Sequence, residues 1–250
     1  MRAPPRLIRR APLIREPLRR FMKRHAPRGP LTRTVEGLTF ELAPRDNKVD
    51  FDIWYKGRLE EGVERRFLAK AQPEGGVFVD IGANIGLYTL ALLRDRPDAR
   101  AIAIEPLARL RARLFKNLAA NGLSATIRAE AVGPAGEADL FESLNAGASS
   151  LLSAGQQGGV QRVTVRPLAE ILADEGVRAH AIKIDVEGFE DEALMPFFDT
   201  VPRENWPVAV VMETLHRAAW RRDCLLELLE QGYQIKEQTA ENVCLRRWGN

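Results

Sequence analysis

From Gly75 to the C-terminus, short apolar runs alternate with longer amphipathic stretches, and that alternation allows few folds. Residues 77–81 read as a strand, 85–94 as a helix, 101–104 as a strand, 107–120 as a helix and 125–131 as a strand. Apolar runs too short for helices, separated by stretches of helical periodicity, predict βαβαβ units: a parallel sheet with helices on both faces. The pattern resumes as a helix over 168–175, a strand over 180–184, a helix over 189–198, a strand over 208–212 and a helix over 218–231. Two last strands, 233–237 and 243–248, flank Ala240, Glu241 and Asn242 and predict an antiparallel hairpin at the sheet edge. Extended segments over 137–143 and 160–166 flank a Gly-, Ser- and Gln-rich stretch, 145–159, that reads as a mobile loop.

The N-terminal part is different in kind. Residues 1–33 hold eleven Lys and Arg against Glu16 alone, or +10, so the +3 of the 250-residue chain leaves −7 on the remainder. Seven of the fifteen prolines lie at or before Pro44, a density that confines any helix in the arm to about residues 18–25. Residues 34–42 alternate around Gly37 as a short hairpin does, 51–55 form an aromatic strand-like piece, and 59–71 read as an amphipathic helix. The expected division is a basic Pro/Arg-rich arm over 1–33, a cover of short strands plus a helix over 34–74, and an α/β domain over 75–250.

Composition narrows the function classes. With 45% hydrophobic and 28% charged residues, the chain sits near the upper size of a single core. No apolar run approaches the ~18 residues of a spanning helix, and the N-terminus lacks the apolar stretch of a secretory signal. A cytoplasmic protein, peripheral to a membrane at most, is expected. Cys224 and Cys244 are too few for a disulfide framework or a zinc cage and read as buried small hydrophobes. The acidic body argues against nucleic acid as a partner. The arm, with Leu7, Ile8, Leu13, Ile14, Leu18 and Phe21 among its arginines, is a candidate contact for an anionic membrane surface or a partner subunit.

Four predicted strands end at carboxylates: Asp80, Glu105, Asp185 and Glu213. Ligands of open α/β sheets bind beyond the carboxyl ends of the strands, where strand order reverses. The turn after the first strand carries Gly82 and Gly86, but Asn84 and Leu87 stand where a dinucleotide fingerprint requires glycine, and no Walker lysine follows. Glu105, 23 residues past Gly82, suits a carboxylate holding two ribose hydroxyls, so adenosine without a pyrophosphate fits. Asp185 and Glu187, two apart on an extended segment, share one face beside Gly188. Glu213 and His216 follow the next strand as candidate bases, and Lys183 sits in a strand interior, where an acid partner is the ordinary expectation.

Residues 78–89 (FVDIGANIGLYT), Ile104-Glu105-Pro106, Ser149-Ser150-Leu151 and residues 183–190 (KIDVEGFE) resemble the FkbM-type S-adenosylmethionine-dependent methyltransferases, from about Thr34 to the C-terminus. The resemblance implies a Rossmann-like class I methyltransferase domain over 75–250: a central, mostly parallel seven-stranded sheet with an antiparallel C-terminal strand and helices on both faces. It also implies methyl transfer from S-adenosylmethionine to a hydroxyl of a small carbohydrate, glycolipid or natural product. By this resemblance Gly82, Asn84 and Gly86 shape the pocket for the methionine portion, with Asp80 acting through backbone or water. Glu105 binds the ribose, and Glu130 and Ala131 line the adenine. Asp185 lies near the methyl group and Glu187 on the acceptor, with Glu213 or His216 as base. The loop around Ser149 and Ser150 closes over both, and Trp54, Tyr55 and the 59–71 helix cover the pocket. A divalent cation on Asp185, Glu187 and Glu213 is the alternative way to polarise the hydroxyl. The alternative functions are a nucleic-acid methyltransferase, for which the expected Asn/Asp-Pro-Pro-aromatic tetrad is missing, and an inactive cofactor-binding scaffold at a membrane.

Overall fold

The computed structural model describes residues 12–141 and 159–248. Its centre is a seven-stranded sheet built from β3 (Val77–Ile81), β4 (Arg100–Ile104), β5 (Thr126–Arg128), β9 (Ala181–Ile184), β10 (Ala209–Glu213), β11 (Tyr233–Gln238) and β12 (Asn242–Arg247). The order is β11-β12-β10-β9-β3-β4-β5, and β12 runs antiparallel to both neighbours. This is the α/β class and topology expected. Chain order reverses between β3 and β9, which lie side by side and in parallel register at the middle of the sheet.

The pleat sorts side chains onto two cores, because successive residues of a strand point to opposite faces. Phe78, Ala101, Ala103, Ala181, Ala209 and Val211 face one core, shared with the leucines of α4 (Leu87–Asp95) and α5 (Ala108–Ala120). Val79, Ile102, Ile104, Ile182, Ile184, Val210 and Met212 face the other, shared with α6 (Leu168–Asp174), α7 (Glu190–Thr200) and α8 (Cys224–Glu230). Both cysteines are buried and free. Among the described residues no helix is long and apolar enough to cross a membrane.

Several elements differ from the sequence expectation. Residues 51–55 are not a strand but lie within helix α2 (Lys48–Lys56). The Asn47 side chain accepts from Val49 N, Gly57 closes the end in a left-handed conformation, and Phe51, Trp54 and Tyr55 fall on one helical face. Helix α3 (Gly62–Ala71) starts three residues later than expected, after Glu61 at φ 56°. The arm helix, α1 (Pro12–His25), is longer than the proline density allows for an isolated segment. Pro12 opens it where a missing N–H has no intrahelical partner. The bond forfeited at Pro17 is offset by burial of Met22 and Ala26 in the first core and by Arg19 donating to Asp52 of α2 at 3.2 Å. The N-terminal hairpin, β1 (Leu31–Val35) and β2 (Leu38–Leu42), begins at Leu31 and turns through Glu36 and Gly37, both left-handed.

Residues 125–131 split. β5 ends at Arg128, and β6 (Ala131–Val132) leaves for a small sheet with β8 (Val160–Arg166) and β7 (Gly136–Phe141). The helix expected over 218–231 becomes a 3-10 turn, Arg217–Ala219, followed by α8. The break arises where Asp191 accepts from Arg221 N and Arg222 N, and Asp223 then caps α8 through Leu226 N. The 145–159 loop expectation, with Ser149 and Ser150, lies outside the described residues except for Gly159.

Candidate active site

The turn after β3 is shaped by contacts that leave no room for side chains. Gly82 has φ 75°, and a Cβ there would run into the Asp185 carbonyl oxygen. The turn is held from the other side, where Gly82 N and Ala83 N both donate to Ile104 O, at 3.0 and 3.1 Å. Three strand ends are thereby drawn together at the point where strand order reverses. Gly86 serves packing instead. At φ 92° it lets Leu90 and Leu114 close over it, and it lies outside the cavity lining. Asp80 also sits behind the cavity, buried, accepting Thr89 N at 3.1 Å and Thr89 Oγ1 at 2.6 Å. It fastens α4 to the strand.

Beyond these strand ends lies a cavity of about 630 Å³, within the ~300–1,000 Å³ usual for small-molecule sites. Of the residues named from sequence, Gly82, Asn84, Glu105, Glu130, Ala131, Asp185, Glu187 and Glu213 line it, while Asp80, Gly86 and His216 do not. Asn84, left-handed at φ 54°, accepts from Asn47 of the cover, and its amide donates to Glu105 Oε2 at 2.9 Å. The other oxygen of Glu105 accepts Leu107 N at 2.9 Å. Burial drives the Glu105 carboxyl up to about 7, against the pull of those two amides and of Arg111 and Lys183. Each oxygen keeps a second lone pair for a ligand hydroxyl.

Glu130 is committed to arginines. Its carboxylate accepts Arg128 Nη2 at 2.5 Å and Ala129 N at 2.9 Å, with Arg166 3.6 Å away. Burial opposes its ionisation, but the Arg128 contact outweighs this and holds the carboxyl below its ordinary value. Trp54 and Tyr55 do not line the cavity; they fill the core beneath the cover. The cover contributes Lys48, Asp52, Glu61 and Glu64 instead.

A group of carboxylates closes the opposite end of the cavity. Asp185 accepts Lys183 Nζ at 3.3 Å, and that buried ammonium lies 5.1 Å from the centre of the Tyr88 ring. The neighbouring acids outweigh burial and raise Lys183, so it stays charged. Glu187 stands in a left-handed conformation, φ 54°, followed by Gly188 at φ 99°. Burial, then repulsion from Asp185, pushes Glu187 up to about 8. Glu213 is raised for the same reasons, with Glu187 among its repelling neighbours. His216 Nδ1 lies 3.3 Å from Glu213 Oε2 and 3.6 Å from Glu187 Oε2, bringing one ligand atom of each within 4.8 Å of one another. Asp185, the third carboxylate of the expected cation site, is not in that trio.

Two residues of this site were missed in the sequence. Glu190 is fully buried under the Val186–Gly188 loop, and Glu64 is buried in the cavity wall, where it accepts Thr239 Oγ1 at 2.7 Å. Glu190 closes the KIDVEGFE stretch, but as the opening residue of a helix it reads as a surface acid. Nothing in the sequence around Glu64 marks it.

The family model for the methyltransferase FkbM domain matches residues 80–235, more than half of the chain. The chain belongs to the FkbM methyltransferase family. This FkbM methyltransferase is 29% identical over 205 residues to "Methyltransferase sdnD" of Sordaria araneosa, covering 68% of this chain and 78% of that protein. A shorter likeness, 50% identical over 46 residues, links 18% of this chain to 2% of the "AMB antimetabolite synthetase AmbE" of Pseudomonas aeruginosa (strain PAO1). Among solved structures, a candidate SAM-dependent methyltransferase from Streptococcus mutans matches with a TM-score of 0.50 at 9% identity, over 88% of this chain and 56% of that one. An rRNA methylase from Streptococcus thermophilus matches with a TM-score of 0.44 at 12% identity, over 75% of this chain and 95% of that one. Likeness of this degree concerns the fold alone.

The protein is therefore an S-adenosylmethionine-dependent methyltransferase of class I fold. Its residues fit that cofactor on two counts. The Gly82 turn admits no side chain between β3 and β9, and the buried Glu105 carboxyl faces the cavity with acceptor capacity left over.

Proposed function

We propose that this methyltransferase acts on a hydroxyl of a small carbohydrate, glycolipid or natural product, and that Asp185, Glu187, Glu213 and His216 serve the acceptor. The observation that carries this reading is the carboxylate group on β9 and β10 lining the same cavity as Glu105. Eleven Asp and Glu line the cavity against six Lys and Arg. Such a wall favours hydroxyl donors and repels a phosphate backbone.

In this reading Glu105 receives two ribose hydroxyls, the Gly82–Asn84 turn borders the methionine portion and Ala131 the adenine. When bound, S-adenosylmethionine supplies an electrophilic methyl group on a sulfonium. Asp185, fixed by Lys183, borders that methyl position, and Glu187 accepts the hydrogen bond of the acceptor O–H. The Glu187 carboxylate would take the proton that the acceptor hydroxyl gives up when its oxygen is methylated, the sulfur of the cofactor being the leaving group. Glu213 and His216 form the onward path for that proton. A carboxyl near 8 exchanges protons readily at neutral pH, worth roughly 10²–10⁴-fold in a general base. Holding the hydroxyl in line at about 3–3.5 Å contributes the larger share.

The Glu187, Glu213 and His216 trio favours a second reading, a divalent cation polarising the hydroxyl. The test is substitution with separate readouts. D185N and E187Q should lower turnover by on the order of 10²-fold while S-adenosylmethionine affinity, measured by calorimetry, stays within about threefold. Unchanged turnover in both variants refutes the proposal.

A further inference from the structure

We infer that Glu190 is a positioning residue of this site: its buried carboxylate pins the loop that aims Asp185 and Glu187 into the cavity. The inference rests on the acceptor-facing role of Glu187 proposed above.

The geometry is specific. Glu190 Oε1 accepts Val186 N at 3.0 Å and Gly188 N at 3.3 Å, Oε2 accepts Gly188 N at 3.1 Å, and Oε2 also accepts Trp220 Nε1 at 2.7 Å. The two amides flank Glu187 on either side. Glu187 and Gly188 are both left-handed, so the chain doubles back over the Glu190 carboxylate. A non-glycine residue in that conformation is strained and persists only where its surroundings over-determine it. Here the surroundings are one carboxylate on the first turn of α7, held from behind by an indole of the segment before α8. Charge-assisted bonds to backbone N–H are among the stronger hydrogen bonds a protein makes. The same carboxylate therefore sets both backbone neighbours of the acceptor-facing group, without itself lining the cavity.

Glutamine at 190 keeps one acceptor oxygen and turns an NH2 group toward N–H donors, so at least one loop amide or the indole loses its partner. Aspartate keeps the charge but is shorter by one methylene and cannot span both amides and Trp220. E190Q and E190D should each lower kcat by on the order of 10-fold to 100-fold, because displacement of a reacting group by about 1 Å costs that much. S-adenosylmethionine affinity by calorimetry should stay within about threefold. That split marks positioning when the calorimetric stoichiometry stays near one, since loss of folded protein would lower kcat and stoichiometry together. Hydrogen exchange on the unmodified protein needs no variant: the Val186 and Gly188 amides should be protected well beyond neighbouring loop amides.

Unprotected amides in the native protein, or a folded E190Q or E190D with kcat within twofold of the parent, overturns the inference. Parallel loss of cofactor affinity and kcat also overturns it. E187Q measured alongside separates the two levels. If E187Q keeps full turnover, the functional reading fails; if E187Q loses turnover while E190Q and E190D do not, only the positioning role fails.

Discussion

Replacing Glu105 tests the cofactor site most directly, because its magnitude can be worked from the geometry. Both carboxylate oxygens are already occupied once each, by Asn84 N and Leu107 N at 2.9 Å, and each has a further lone pair for a ribose hydroxyl. A hydrogen bond to a charged group contributes about 1.5–3 kcal/mol, so two lost bonds amount to about 3–6 kcal/mol. At 1.4 kcal/mol per decade, E105A should weaken S-adenosylmethionine binding by about 10²–10⁴-fold. The assay is calorimetric titration, with circular dichroism to confirm that the variant is folded, since truncation also strands two backbone donors. E105Q should fall between, because its NH2 must face one of those donors. The parent enzyme carries a pH signature of the same residue. Its carboxyl, raised to about 7 by burial, must be ionised to receive two hydroxyl donors. Affinity should therefore rise about tenfold between pH 6 and pH 8, and the rise should vanish in E105Q. A folded E105A that binds within threefold of the parent refutes the ribose assignment and the reasoning behind it.

Other expectations follow from single observations. G82A places a Cβ against the Asp185 carbonyl oxygen at a positive φ, and should destabilise by more than about 3 kcal/mol, a fall in melting temperature of roughly 6–12 °C; a midpoint within 2 °C of the parent contradicts the close approach. With burial and Asp185 holding Glu187 near 8, the group is protonated below that pH and ionised above it, so kcat/KM for the acceptor should climb as pH rises through about 8. An E187Q profile that keeps the same limb assigns it to another group. Turnover should persist in EDTA, as measured by product formation; a loss reversed by magnesium favours the cation on Glu187, Glu213 and His216.

How much was legible in the sequence differs by element. β3, β4, β9 and β10 were readable because they are buried on both faces and so appear as uninterrupted apolar runs, and the carboxylates that end them were marked by position alone. Glu105 and the Gly82 turn were found the same way. The aromatic run at 51–55 misled, since Phe51, Trp54 and Tyr55 are also spaced for one face of a helix, and the Asn47 and Gly57 caps decide between the two. The fourteen-residue arm helix was hidden by Pro17, whose lost bond is offset only by burial of Met22 and Ala26 against elements distant in the chain.

Strand and helix alternation, the edge hairpin, the glycine turn and the strand-end acids are legible from the chain alone, because local periodicity and local chemistry set each of these, whereas the order of the strands is not local. Which acid does what is set by packing. Asp80, Glu105, Glu130 and Glu190 are chemically near-identical carboxylates, yet one fastens a helix, one faces the cavity, one is spent on arginines and one anchors a loop. A carboxylate's role depends on which donors meet its two oxygens and how much water reaches it, and both are set by residues far away in the chain.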